Sequence, residues 1–204
     1  EDFRENRISI FSSLTKLRQL SIDPSLVDPQ AYSGIASAKL DFLIESLEEI
    51  TAEGHRALVF SQFTSFLGKI REILELRGMR HLYLDGGTRQ RGKLLEEFAT
   101  GEIPVFLISL KAGGFGLNLT AADYVYLVDP WWNPAAESQA VDRAHRIGQT
   151  RGVMIYRLVS QGTIEEKVVQ LGKRKAELFA QVMQGATSDA TAIGADDIRR
   201  LLQS

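Results

Sequence analysis

No cysteine occurs among the 204 residues, which excludes disulfides and thiolate metal centres. The three histidines, His55, His81 and His145, lie far apart without ligand spacing, so no structural metal is expected. No apolar run approaches the roughly 20 residues a membrane-spanning helix needs, and no signal peptide is visible, so no membrane partner is expected. An excess of charge of one sign is also missing. The formal net charge of −2 gives no overall pull toward a polyanion. There is no internal repeat and no low-complexity tract. The sequence opens Glu1-Asp2-Phe3 without a methionine, which reads as a piece of something longer or a processed chain.

What is present is ordinary in bulk and uneven in detail. With 44% apolar residues, the chain can bury a substantial core, as one large domain or a domain with an appended piece. Phe3–Leu20 carries Ile10, Leu14 and Leu17 on one stripe and predicts an amphipathic helix. Asp23–Gly34, with two prolines, predicts a loop or linker. A second helix follows, with Leu40, Leu43, Ile44, Leu47 and Ile50 at helical spacing. Strand and helix then alternate. Strands are predicted at Ala57–Phe60, His81–Leu84, Pro104–Ser109, Tyr124–Asp129 and Val153–Val159. Helices are predicted at Thr64–Arg77, ended by Gly78, at Arg89–Ala99, across the arginine-bearing segment 138–150, and after the capping box Thr163-x-x-Glu166. Gly185–Ala192 reads as a joint and Ala195–Leu202 as a short closing helix. Apolar strands alternating with helices argue for an α/β fold, a parallel sheet with helices on both faces. Ligands in such sheets bind outside the carboxyl ends of the strands. Ser61, the Gly113–Gly116 loop and the Trp131-Trp132 pair all follow strand ends and should share one edge.

Two glycine-containing segments invite a nucleotide. Gly87-Thr-Arg-Gln-Arg-Gly92-Lys93 fills seven positions of the phosphate loop GxxxxGK[ST] and lies between a strand and a helix. The eighth position is Leu94, where a hydroxyl should reach the metal, so the phosphate-loop reading is rejected. The simpler reading is that Thr88 caps a helix and Gly92 sits in its first turn. Ala112-Gly113-Gly114-Phe115-Gly116 lacks GxGxxG spacing, although its glycines allow backbone N–H groups to approach phosphate oxygens. Adjacent Trp131 and Trp132 face opposite ways if extended, so at least one belongs to the core.

The segment SQAVDRAHRIGQT (138–150) carries the most chemistry. On a helix, Gln139, Arg143 and Arg146 fall in one arc, while Ala140, Ala144 and Ile147 share a neighbouring arc suited to packing. Two guanidinium groups one turn apart suit a phosphate gathering negative charge; a solvated basic face is the alternative. From Arg143 to Lys175 there are eight basic residues against Glu165 and Glu166, so whole-chain charge is a poor guide to what one face sees.

Taken in order, ALVFSQF (57–63), LISLKAGGFGLNLTAADYVYLVDPWWNP (107–134), QAVDRAHRIGQT (139–150) and YRLVSQGTIEEKV (156–168) resemble consecutive motifs of the Swi/Snf-type ATP-dependent DNA translocases of helicase superfamily 2. The resemblance is to their C-terminal RecA-like lobe and covers most of residues 36–183. The SLKAGG form, with Lys111, looks more like the bacterial branch. The resemblance implies that Arg143 and Arg146 are catalytic arginine fingers, reaching ATP phosphates held by another lobe. It implies that Gln139 sits at that cleft, and that Gly114, Gly116 and Asn118 link nucleotide to DNA. Ser61, Gln62, Lys111 and Ala112 match positions touching phosphates of the tracked strand, and Trp132 matches a tryptophan beside DNA. For Ser61 and Gln62, helix capping after a strand stands equally as an explanation.

The loop after Leu84-Asp85-Gly86 departs from the family pattern, being compact and basic (87–91), so DNA contact there is open. No complete phosphate loop and no DExH box is present. The resemblance therefore implies half of a catalytic unit. In it, residues 1–35 lead in from a missing N-terminal lobe, 36–183 form the RecA-like domain, and 184–204 close the chain. ATP and Mg²⁺ would be held mainly by that N-terminal lobe, and this chain alone would be inactive as an ATPase. The expected partners are double-stranded DNA, the N-terminal lobe and a displaced DNA-bound protein. The expected location is the bacterial cytoplasm with the nucleoid, or the nucleus if the source is eukaryotic. A self-contained P-loop nucleoside triphosphatase using Gly87–Lys93 and a non-catalytic interaction module remain the competing readings.

Overall fold

Uninterrupted apolar segments become the strands of a single parallel sheet. The computed structural model describes residues 2–110, 112, 119–131 and 152–183. Its strands are β1 (Ala57–Ser61), β2 (His81–Leu84), β3 (Val105–Ser109), β4 (Tyr124–Leu127) and β5 (Met154–Arg157), paired in the order β2-β3-β1-β4-β5. The described helices are α1 (Asp2–Ile22), α2 (Ala38–Ala52), α3 (Thr64–Leu76), α4 (Arg91–Thr100) and α5 (Ile164–Met183).

Side chains alternate across a strand, so the all-buried β1 and β3 feed two cores at once. Ala57, Val59, Val105 and Leu107 join Leu43 and Leu47 of α2 and Phe66 and Ile70 of α3 on one face. Leu58, Phe60, Phe106 and Ile108 join Phe98 of α4 on the other. Each fully buried valine, leucine, isoleucine or phenylalanine among them contributes about 1.5–3 kcal/mol, enough to fix the strand register. This is the expected RecA-like α/β arrangement. Edge strand β5 differs, for Met154 and Ile155 are 51% and 45% exposed.

Local chemistry sets where elements stop. Gly78 ends α3 at φ +68, a conformation that a side chain disfavours, and lets Met79 N–H reach the Leu74 carbonyl at 2.9 Å. Thr163 and Glu166 do cap α5, with a shifted geometry. Thr163 Oγ1 accepts from Glu165 N, and Glu166 Oε2 accepts from Gly162 N.

Three expectations change. The buried stripe of α1 is Leu14, Arg18 and Ile22, while Leu17 is 41% exposed. Apolar spacing alone pointed to Leu17, but docking selects the i, i+4, i+8 face. The expected linker begins with a 3₁₀ turn, Pro24–Leu26, capped by Asp23 and tied to α3 by Lys69, which donates to Asp23 and to Ser25 Oγ. Thr88 does not cap α4, whose N-cap is Gln90. Asp85 captures it instead, accepting from Thr88 Oγ1 at 3.1 Å and from Gly87 N at 2.9 Å. Gly92 lies in the first turn of α4, as expected.

Candidate functional site

In an open parallel sheet the ligand crevice opens where neighbouring strands send their following connections in opposite directions. Here β1 runs on toward β2 on one side and β4 toward β5 on the other, and β1 and β4 are neighbours. The crevice therefore lies at Ser61–Gln62 and at Val128–Asp129–Pro130.

Side chains of the protein itself fill it. Asp129 is buried and accepts from Ser61 Oγ at 2.5 Å, from Gln62 N at 3.2 Å and from the Gln62 side-chain amide. Arg18 reaches across from α1. It donates to Gln62 Oε1 at 2.8 Å and to the Pro130 carbonyl at 2.6 Å, with Asp129 at 3.8 Å and the Phe63 ring 5.4 Å away. Burial pushes the Asp129 carboxyl upward, against the hydrogen bonds of Ser61 and Gln62 and the Arg18 charge. Burial likewise lowers Arg18, against the charges of Asp129 and Glu165.

A second buried pair adjoins the first. Lys39, opening α2, donates to the carbonyls of Val128 at 2.9 Å and Leu158 at 3.2 Å and to Glu165 Oε2 at 2.5 Å. These contacts tie the ends of β4 and β5 to the start of α5. Ser160 N also donates to Glu165 Oε2 at 2.8 Å, while Ser160 Oγ donates to the Ser21 carbonyl of α1 at 2.6 Å. Burial lowers Lys39 and raises Glu165, each opposed by the other's charge. Two cations and two anions thus form one neutral cluster under the carboxyl edge of the sheet.

Of the expected site residues, the structure brings Ser61, Gln62 and Ala112 to this edge. Ser61 is fully buried, its hydroxyl donating to Asp129 and accepting from Phe63 N at 3.0 Å, which is the local turn-capping role. Ala112 is 2% exposed, its N–H donating to the Ser109 carbonyl. Neither presents a free side-chain group to a phosphate in this arrangement, because burial and internal hydrogen bonds claim both. Gln62 is partly exposed. Trp131 packs on the second core, as one of the two tryptophans was expected to. Lys111, Gly114, Gly116, Asn118, Trp132, Gln139, Arg143 and Arg146 lie outside the described residues, as do the arginine-bearing helix, the 185–192 joint and the closing helix.

Sequence reasoning passed over Arg18, Lys39, Asp129 and Glu165 as a cluster. A signal was there for three of them. Each occupies a buried helical stripe, namely Leu14-Arg18-Ile22, Lys39-Leu43-Leu47 and Glu165-Val168-Leu171. A charge in an apolar stripe needs a partner.

The loop 87–93 holds no phosphate cradle either, because Asp85 already takes its Gly87 N–H and Thr88 hydroxyl. Lys93 faces solvent from α4.

The family model described as helicase conserved C-terminal domain matches residues 38–148, a span that includes Gln139, Arg143 and Arg146 and excludes α1. The chain is 45% identical over 174 residues to the DNA repair protein RAD5 of Cryptococcus neoformans, covering 82% of this chain and 14% of that protein. It is 46% identical over 156 residues to the chromatin-remodeling ATPase INO80 of Saccharomyces cerevisiae, covering 75% of this chain and 10% of that one. The crystal structure of the C-terminal part of the Fun30 ATPase domain is similar, with a TM-score of 0.63 and 41% identity. That match covers 67% of this chain and 45% of the Fun30 chain.

Proposed function

The chain belongs to the helicase conserved C-terminal domain family, and from that premise we propose that it is the second motor lobe of a Swi/Snf-type, ATP-dependent duplex-DNA translocase or remodeller. The observation that carries the half-motor reading is the filling of both candidate nucleotide cradles by the chain's own acids. Asp129 closes the crevice between β1 and β4, and Asp85 closes the loop at Gly87–Lys93. Both carboxylates are engaged by the chain's own donors, so among the described residues neither place presents an uncommitted cradle for ATP–Mg²⁺. ATP and Mg²⁺ are assigned mainly to an N-terminal lobe of the full-length protein.

Arg143 and Arg146 then act across the cleft between two lobes of one polypeptide, stabilising charge on the transferring phosphoryl group. Such a contribution is worth about 10³–10⁵ in rate. Gln139 lines the same cleft, and Gly114, Gly116 and Asn118 connect it to the DNA edge. Gln62, Lys111 and Trp132 are assigned to the phosphate backbone of the tracked strand. Ser61 and Ala112 form the floor of that edge, the first by fixing Asp129 and the Phe63 N–H. Closing and reopening of the lobes shifts this edge along duplex DNA, through contacts that do not read sequence. Residues 1–35, 36–183 and 184–204 serve as lead-in helix, motor domain and closing segment. A DNA-bound protein displaced by the motor completes the set of partners. The RAD5 and INO80 relatives come from fungi, which supports a nuclear setting; the bacterial look of SLKAGG draws no support from them.

The test is steady-state Mg-ATP hydrolysis by the chain alone, with and without duplex DNA, beside full-length protein and its Arg146→Ala variant. The expected results are negligible turnover by the chain alone and a loss of about a thousandfold or more in the variant. Robust saturable hydrolysis by the isolated chain sinks the half-motor account.

A further inference from the structure

The family match begins at Ala38, the first residue of α2, yet the crevice is completed by a side chain from α1. We propose that Arg18 is a positioning residue of the motor. It locks the incoming helix to Gln62 on one side and to the Asp129–Pro130 step, which leads into the tryptophan–arginine stretch, on the other. This inference rests on the motor-lobe reading above and deepens it.

Three observations carry it. The first is the fork. One guanidinium nitrogen holds Gln62 Oε1 and the other holds the Pro130 carbonyl, so a single planar group from α1 clamps two strand ends that Gln62 itself links through Asp129 and Pro130. The second is rigidity on the α1 side. Ile22 enters the core with Leu40 and Leu43, Ser160 holds the Ser21 carbonyl, and Lys69 holds Asp23 just beyond the helix. A displacement of α1 is thereby transmitted to the Arg18 head rather than absorbed by a slack joint. The third is the chemistry of the position. Arg18 is 4% exposed and sits at the topological switch, where a desolvated cation is costly unless its partners need it. A neutral residue in the Leu14–Ile22 stripe would serve packing alone. An arginine whose fork ends on the Gln62 edge and the Pro130 carbonyl serves geometry.

Position matters because a misplacement of about 1 Å at a reacting group can cost on the order of a hundredfold in rate. Lysine at position 18 keeps the charge but offers one point donor in place of a planar fork. Arg18→Lys in the full-length protein should therefore fold, keep its KM for ATP within about twofold, and lose DNA-stimulated kcat by roughly tenfold or more while basal kcat changes less.

The experiment compares wild type, Arg18→Lys and Arg146→Ala in full-length protein, measuring basal and duplex-stimulated hydrolysis together with Tm. A lower ratio of stimulated to basal kcat in Arg18→Lys, measured well below its Tm, supports the proposal. An unchanged ratio overturns it, and so does a proportional fall in both rates that tracks Tm, which is what a merely structural role gives. Should Arg18→Lys fail to fold, the double variant Arg18→Gln/Asp129→Asn keeps the cluster neutral and is read in the same way. Arg146→Ala separates the two failures. If it abolishes hydrolysis while Arg18→Lys is normal, only the Arg18 role falls; if it hydrolyses normally, the motor reading itself is lost.

Discussion

Lys39 is a residue whose charge is kept inside the protein only because three oxygens receive its three protons. The Val128 and Leu158 carbonyls and the Glu165 carboxylate take them all. Removing one partner of such a pair strands the other, which costs more than the pair itself contributes. Lys39→Met should accordingly lower stability by about 3–5 kcal/mol, while Lys39→Met/Glu165→Gln should recover much of that loss, as read from urea unfolding midpoints. A single variant within 1 kcal/mol of wild type, on the order of an ordinary surface change, contradicts the assignment. Asp123 makes the opposite electrostatic case at the other edge of the sheet. Burial pushes its carboxyl up, but the Arg56 N–H and the His55 ring, at 3.0 and 2.7 Å, outweigh that and hold it below the ordinary aspartate range. With the folded value below the unfolded one, the stabilisation is complete above roughly pH 4 and is lost as acid carries the pH down through the folded value. Asp123→Asn should melt lower than wild type at pH 7, and the gap should narrow below about pH 4. A gap independent of pH excludes the charge as its cause. At this scale the sequence was readable in kind rather than in partner. The charges at positions 18, 39 and 165 stand on apolar stripes in plain view, but their pairing depends on three helices meeting at one sheet edge.

Among the elements, strands were the most legible because both faces of each central strand are buried, so long apolar runs have only one home. Helix faces were less so. In α1 the choice between Leu17 and Arg18 is made by docking against the domain, which local periodicity does not contain. The turn after β2 shows a third regime, where a motif match and the local hydrogen bonding disagree. Gly87–Lys93 has the spacing of a phosphate loop, but Asp85 satisfies the Gly87 N–H and the Thr88 hydroxyl, and α4 starts only at Arg91. Lys93 then projects from a helix into solvent. Lys93→Ala in full-length protein should leave kcat and KM for ATP within about twofold, since an exposed helical lysine contributes a few tenths of a kcal/mol at most. A large rise in KM would return the nucleotide to this loop. The arginine motif and the glycine-rich loop were legible as a resemblance, and Gln139, Arg143 and Arg146 fall within the span that the family model matches.

For the whole molecule, net charge and local charge point in different directions. The chain carries −2 overall, yet residues 143–175 hold eight basic residues against two acidic ones. Those two acids differ in their surroundings. Glu165 is buried against Lys39, which leaves Glu166 as the one acid of that stretch not committed to an internal ion pair among the described residues. The charge this stretch has left for a polyanion is therefore larger than composition suggests, and on the proposed reading binding to duplex DNA should be dominated by release of counterions. If the lobe neutralises about five phosphates, log K should fall with log salt at a slope near −4.5, roughly a 500-fold loss between 50 and 200 mM. Backbone contacts carry no base information, so scrambling the duplex sequence should change affinity by less than about threefold at any one salt concentration. Titrating full-length protein with labelled duplexes of two unrelated sequences across that salt range measures both quantities at once. A slope near zero would mean the basic stretch does not meet DNA. A steep slope with strong sequence preference would mean that base edges are being read and would contradict the proposed backbone-tracking mode, in which every step brings a different sequence under the same residues.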